Sequence, residues 1–314
     1  MAKRVLKKLL STLITLFAVS FIVFLAFDII PGDAATAQLG TEATPERLAD
    51  LREQLGLNRP FIVRYFAWLW DFVRGDFGVS YSYSIPVSQM LAGKLPITIT
   101  MITMSFLMIV LVSIPLGVYN AAHQGGVLDR FFMIINQIIM AIPPFFSGIL
   151  ITFIFGITLK LFVPGGFVSY TKDVAQFLGY MVFPSLAVAI PKIAMTTKLL
   201  RNSILDEADK DYVRTAYSRG NRTRGVLYNH VLKNAMIPTV TFLGMVLADM
   251  IAGSIIIEQV FNIPGFGRIL ITSISNRDFP VAEAVIMIIA VIVVVVNFIV
   301  DILYRVIDPR MREN

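Results

Sequence analysis

Six apolar runs decide what this chain can become. They lie at about Leu9–Ile30, Ile97–Ala121, Phe131–Leu161, Phe177–Leu200, Ala235–Val260 and Val281–Tyr304. Each is near the roughly 20 residues that carry a helix across a bilayer, with room for tilt or overhang. Hydrocarbon leaves no water to satisfy backbone N–H and C=O groups, so runs of this kind span as helices. A hydrophobic content of 56% against 15% charged residues, with a mean hydropathy of +0.75, excludes a soluble globular chain. Lys3, Arg4, Lys7 and Lys8 precede the first run. A cleaved signal peptide has a shorter apolar core and a small-residue cleavage site, so an uncleaved first helix is expected.

Six spans return the chain to the side on which it started, and basic residues choose that side. The N-terminus, Arg130, the segment holding Lys198, Arg201, Lys210, Arg214, Arg219, Arg222, Arg224 and Lys233, and the tail with Arg305, Arg310 and Arg312 fall together. The expectation is an all-α membrane protein of six transmembrane helices with both termini cytoplasmic. Its parts are a cytoplasmic end and first helix at 1–30, a partly helical extracytoplasmic loop at 31–96, and a core of five helices at 97–314. The other outward loops are about Phe162–Gln176 and Phe261–Pro280. The net charge of +6 is accounted for by the cytoplasmic loops, and no nucleic-acid partner is expected. With no cysteine, and only His123 and His230, Cys-based and His-rich metal sites are excluded.

The first outer loop carries helix signals. Thr44 is placed to cap, Pro45 to open the helix, Leu48, Leu51 and Leu55 to form one face, and Gly56 to close it. Phe61, Tyr65, Trp68 and Phe72 then recur at near-helical spacing, as a segment at the membrane interface would. Two readings of that segment stand: a docking surface for an external partner, or an anchor that steadies the bundle. Within the spans, Asp249 lies midway along the fifth run, where a carboxylate belongs to a pathway or a helix contact. Lys192 is nearer the cytoplasmic end and is expected to snorkel. Pro115, Pro143-Pro144, Pro184 and Pro191 kink or break helices, which membranes tolerate where the break faces protein or water.

The polar segment Lys198–Lys233 contains a further short helix. Acids come first (Asp206, Glu207, Asp209, Asp211) and bases last, which complements a helix dipole, with Asp211 as N-cap and Gly220 as the left-handed stop. About two turns fit Tyr212–Arg219, with Val213, Ala216 and Tyr217 on one apolar face. That face has no partner in its own loop and is expected to meet another protein.

This segment resembles the ATPase-coupling loop, or EAA loop, of bacterial ABC importer permeases. The likeness runs through Tyr212-Val213-Arg214-Thr215-Ala216, Gly220 four residues later, and His230, Leu232, Asn234-Ala235 and Pro238. Arg214 stands where the eponymous Glu would be, as in the peptide and nickel branch. Pro31-Gly32-Asp33, Leu55-Gly56-Leu57-Asn58-Arg59-Pro60, Tyr65 with Trp68, and Gly75-Asp76-Phe77-Gly78 with Ser80-Tyr81 resemble the branch's external loop. Glu258-Gln259-Val260-Phe261-Asn262-Ile263-Pro264-Gly265-Phe266-Gly267 is similar to its motif after the fifth helix, followed by Arg277-Asp278-Phe279-Pro280. Asp301-Ile302-Leu303-Tyr304 and Asp308-Pro309-Arg310 resemble its C-terminus. The likeness covers nearly the whole chain and is to the B-type permease subunit of dipeptide, oligopeptide or nickel importers.

The resemblance implies the type I ABC importer permease fold in a bacterial cytoplasmic membrane, without an ATPase site of its own. No G-x-x-x-x-G-K-[ST] is present to cradle phosphates. ATP and Mg would be used by two partner ABC ATPase subunits. A second homologous permease would complete a heterodimer, and an extracytoplasmic substrate-binding protein would deliver cargo. Asp211, Tyr212, Val213, Arg214, Thr215, Ala216 and Gly220 are the implied coupling residues. Asp249, Glu258, Pro264, Gly265 and Gly267 are pathway or outer-gate candidates, although a turn-capping role suits Glu258 better. Tyr65, Trp68, Asp76, Phe77 and Gly78 are candidates for binding-protein docking. A Glu at Ala216, or a bulky residue at Gly220, is expected to spare membrane insertion and abolish transport. Peptides are the first choice of cargo, with nickel chelates, glutathione or opines open. An intramembrane enzyme using Asp249 lacks a second aspartate, a Ser–His or Ser–Lys arrangement, or His-Glu metal spacing. An ATPase-independent carrier would not need the cytoplasmic loop.

Overall fold

The computed structural model describes residues 2–30, 44–54 and 56–307. Pro31-Gly32-Asp33, Leu55, Asp308-Pro309-Arg310 and Arg312 lie outside the described residues. Among the described residues the architecture is all-helical, apart from an isolated bridge between Val79 and Pro86.

The helices are α1 (Ala2–Ile29), α2 (Pro45–Gln54), α3 (Phe61–Val73), α4 (Val87–Leu91), α5 (Lys94–Ala122), α6 (Val127–Met140) and α7 (Pro144–Ile151), which runs on as a π-helical turn over Thr152–Thr158. After these come α8 (Val174–Ala208), α9 (Asp211–Ser218), α10 (Thr223–Val226) with a π-helical turn at Leu227–Val231, α11 (Leu232–Val260), α12 (Phe266–Ser275) and α13 (Phe279–Ile307). Among the described residues, five helical segments are long and apolar enough to cross a membrane: Leu6–Ile29, Val87–Ala122, Val174–Ala208, Thr223–Val260 and Phe279–Ile302. The third apolar run is not a straight span. α6 and the α7 segment meet at 106°, because Pro143 is held extended and Pro144 can only open a new helix. Taken as one bent span, the pair brings the number to six.

Two stretches read as loops are helical. α8 continues eight residues past the apolar run, to Ala208, so the polar segment begins inside a helix. The Phe261–Pro280 loop contains α12, whose buried Phe266, Ile269 and Leu270 give it an apolar face.

The chain divides into two compact units, Met1–Ile97 with Pro264–Phe298, and Thr98–Ile263 with Ile299–Asn314. In the first, α3 is fastened along α1. Tyr65 is fully buried, its hydroxyl 2.8 Å from Ser20 Oγ and its ring edge-on to Phe21 at 5.3 Å. Arg64 closes the end of this seam by donating to Asp28 at 2.6 Å. α2 begins as its sequence indicates, with Thr44 Oγ1 accepting from Arg47 N at 3.4 Å, and Gly56 follows at φ +64°. Asp278, just before α13, holds the turn after Gly78: Ser80 Oγ donates to it at 2.5 Å and Tyr81 N at 3.0 Å.

In the second unit α8 is central, packing on α6, α7 and most extensively on α11. Its approach to α5 is close. A Cβ at Gly117 would stand 3.0 Å from the Leu200 side chain, and Ser105 Oγ reaches Ser185 O at 3.0 Å. At the start of α6, buried Asp129 accepts from Gly125 N at 2.9 Å and takes both arms of Arg201.

Candidate coupling surface and intramembrane charge pair

α9 is built from a local pattern with an asymmetric outcome. Lys210, in extended backbone, precedes the helix, and its carbonyl accepts from Val213 N at 3.0 Å. Asp211 is therefore the first helical residue rather than the N-cap. Its carboxylate sits by the dipole's positive end and 3.8 Å from Arg214, both side chains largely in solvent. Gly220 takes φ +83°, and its N–H donates to Tyr217 O at 2.9 Å, which closes the helix as the sequence indicates.

The apolar face does have a partner in its own chain, contrary to the expectation. Val213 and Ala216 are buried in a cluster with Val118 and Ala121 of α5, Leu200 and Ile204 of α8, and Val226, Val231 and Ala235. The cluster forms because α8 outruns the apolar stretch and because α10 folds back, which sequence spacing alone does not disclose. Tyr212 adds a polar latch: its hydroxyl donates to Glu207 Oε1 at 2.8 Å and accepts from Asn234 Nδ2 at 3.1 Å. Burial raises the Tyr212 phenol above its ordinary value. The opposite face, with Arg214, Thr215 and Ser218, is open, and Tyr217, expected on the apolar face, instead lies exposed at its margin, as does the edge of Tyr212.

Within the membrane, Lys192 does not snorkel. Its ammonium pairs with Asp249, joining α8 to α11. The pair is lopsided: the Lys192 side chain is 18% exposed and Asp249 61%. Asp249 falls on an open stripe of α11 that includes Thr241, Met245, Ala252, Ile256 and Gln259. An ion pair is costly against lipid, so this stripe faces protein or water.

The remaining candidates divide by burial. Glu258 is wholly enclosed and accepts from Thr98 Oγ1 at 2.5 Å, tying α11 to α5, so it lines no opening within its own chain. Pro264, Gly265 and Gly267 form the entrance to α12, with Gly265 extended at its N-cap and Gly267 buried. Tyr65 belongs to the α1–α3 seam and presents no docking surface, and Trp68 is half-buried against Phe24 at 5.3 Å. Asp76 Oδ1 accepts from Gly78 N at 3.0 Å, Gly78 has φ +77° and Phe77 leans on Phe72 at 5.1 Å, so these three shape a turn. Groups of three or more metal-binding side chains are absent among the described residues.

Residues 113–313 match the family described as the binding-protein-dependent transport system inner membrane component, and residues 1–102 match the N-terminal part of such membrane components. The chain belongs to this family. It is 35% identical over 308 residues to a probable peptide ABC transporter permease protein of Sinorhizobium fredii, covering 98% of each chain. A putative peptide transport system permease protein of Brucella abortus is 33% identical over 312 residues, 99% of each. The oligopeptide transport system permease protein AppB of Bacillus subtilis is 32% identical over 314 residues, again 99% of each. The chain is thus a multi-pass inner-membrane permease subunit of an ABC transporter. The open face of α9 and the Lys192–Asp249 pair are the candidate sites for such a permease. Asp129 was missed in the sequence, where the signal was an acid three residues into a helix opened by Gly125-Gly126. Glu283, a carboxylate one turn into α13, was also missed.

Proposed function

We propose that this permease carries peptides into the cell, with two ABC ATPase subunits engaging α9 and an external binding protein delivering the cargo. Both termini are cytoplasmic in this reading, and a second homologous permease completes the pathway. The observation that carries it is α9 itself: a short helix riveted by Val213 and Ala216 to the ends of three long helices, with Arg214, Thr215 and Tyr217 turned out. A partner that grips the outer face moves α5, α8 and α11 as rigid bodies, the form of motion that alternates access. The peptide-permease names of relatives matched end to end support the cargo. The Lys192–Asp249 pair supports a hydrated pathway along α11 for a zwitterionic substrate. ATP and Mg belong to the partner ATPases.

The test is uptake of labelled di- to pentapeptides, and growth on limiting nickel, in cells deleted for the gene. Peptide uptake restored by the intact gene but not by Tyr217→Ala, at equal membrane abundance, supports cargo and coupling together. Loss of nickel-dependent growth with peptide uptake unchanged overturns the cargo and leaves the coupling.

A further inference from the structure

Where the C-terminal end of α1 approaches the N-terminal end of α13, the first unit forms an open-sided cavity of about 550 Å³. Four carboxylates line it, Asp28, Asp71, Asp76 and Glu283, against two guanidinium groups, Arg59 and Arg64. Part of that charge is committed: Asp28 takes Arg64 at 2.6 Å, and Asp76 accepts from Gly78 N at 3.0 Å. Glu283 is different. It accepts no hydrogen bond and forms no ion pair among the described residues, although it stands one turn inside an apolar helix, where an uncompensated carboxylate is costly.

The walls complete the chemistry. Phe24, Trp68, Phe77 and Phe279 line the same space. Aromatic faces attract a cation through the ring quadrupole, and around a carboxylate they favour an organic cation over a hydrated metal ion, for which rings supply no ligands. The excess of carboxylates over guanidinium groups turns anions away. We propose that this cavity binds a primary ammonium group carried on an apolar body, with Glu283 as its counter-ion and the rings as its walls. Such a group comes either from the ethanolamine head of a membrane phospholipid or from the amino terminus of a cargo peptide.

Trp68 lines the cavity and the chain has only one other tryptophan, Trp70, which lies outside the lining. The Trp70→Phe variant therefore makes indole fluorescence report from the cavity alone. The full chain in phosphatidylglycerol nanodiscs is titrated with phosphatidylethanolamine in one arm and leucyl-phenylalanine in the other, each also as its N-acetylated form. A saturable change with a free amine, weakened at least tenfold by acetylation and by Glu283→Gln, is the expected result. A response to the lipid alone assigns the headgroup, and a response to the dipeptide alone assigns the cargo. No saturable response to either amine overturns the proposal, as does equal binding of the acetylated form. The acetylation arms keep Glu283 intact, so they decide even if Glu283→Gln folds poorly.

Discussion

Arg201 grips Asp129 with two donors, Nε to Oδ1 at 2.6 Å and Nη2 to Oδ2 at 2.7 Å, and so binds the start of α6 to α8 across 72 positions of sequence. The arrangement is bidentate and the carboxylate is wholly buried. Arg201→Ala leaves that charge without its partner and is expected to cost about 3–5 kcal/mol. Thermal unfolding in detergent checks this, and a paired Arg201→Met, Asp129→Leu variant should recover most of the loss. An Arg201→Ala protein as stable as the parent would show that the pair contributes nothing.

The two faces of α9 should separate experimentally. Val213→Asp buries a charge in the cluster beneath the helix and is expected to lower membrane abundance. Ala216→Glu, expected from the sequence to spare insertion, should do the same because Ala216 is buried in that cluster, so it reports on folding rather than on coupling. Tyr217→Ala and Arg214→Glu touch only the open face. They should leave abundance within about 20% of wild type while uptake falls at least tenfold, roughly 1.4 kcal/mol of coupling. Immunoblots of membranes beside uptake assays distinguish the classes.

Gly220 has open space around the position of a Cβ but a φ of +83°. The restriction is conformational, not steric crowding. Gly220→Val should lose transport, because a β-branched residue in this region is strained by about 1–2 kcal/mol or more. Gly220→Asn should retain it, since Asn tolerates the left-handed region. Equal uptake by both variants would dismiss the backbone argument.

At the Lys192–Asp249 pair, single neutralisations should each abolish peptide uptake, Lys192→Met by leaving Asp249 alone and Asp249→Asn by leaving the less exposed ammonium unpaired. The reversed pair, Lys192→Asp with Asp249→Lys, should restore a measurable fraction. Uptake by all three at wild-type rates would remove the pair from the pathway.

Much of the fold was legible because a bilayer demands long apolar runs, and the bend of the third run was foreshadowed by Pro143-Pro144. The extension of α8 to Ala208 was hidden because its last turns are polar, and polar sequence reads equally well as loop. The short α12 was masked by the turn signals Pro264-Gly265 ahead of it. At the candidate coupling surface, periodicity identified the apolar face of α9 but could not tell what covers it. That answer depends on Leu200 and Ile204, which arrive from another helix. Tyr65 failed for the same reason: spacing marks an aromatic stripe, and only the approach of Ser20 and Phe21 decides that it is interior. Asp129 and Glu283 are solitary carboxylates whose meaning lies in residues far along the chain.

The burial of Val213 and Ala216 has a mechanical reading. A helix tethered only by its loops would swivel under load and dissipate the stroke in its own connections. α9 cannot turn without drawing Val213 and Ala216 out of the cluster with Leu200 and Ile204, so under the proposed coupling a push at Tyr217 or Arg214 becomes torque on α5, α8 and α11. In the proposed coupling the element is a crank pin with little backlash, and the stiffness of the transmission is set by a few aliphatic side chains rather than by the charged surface around them.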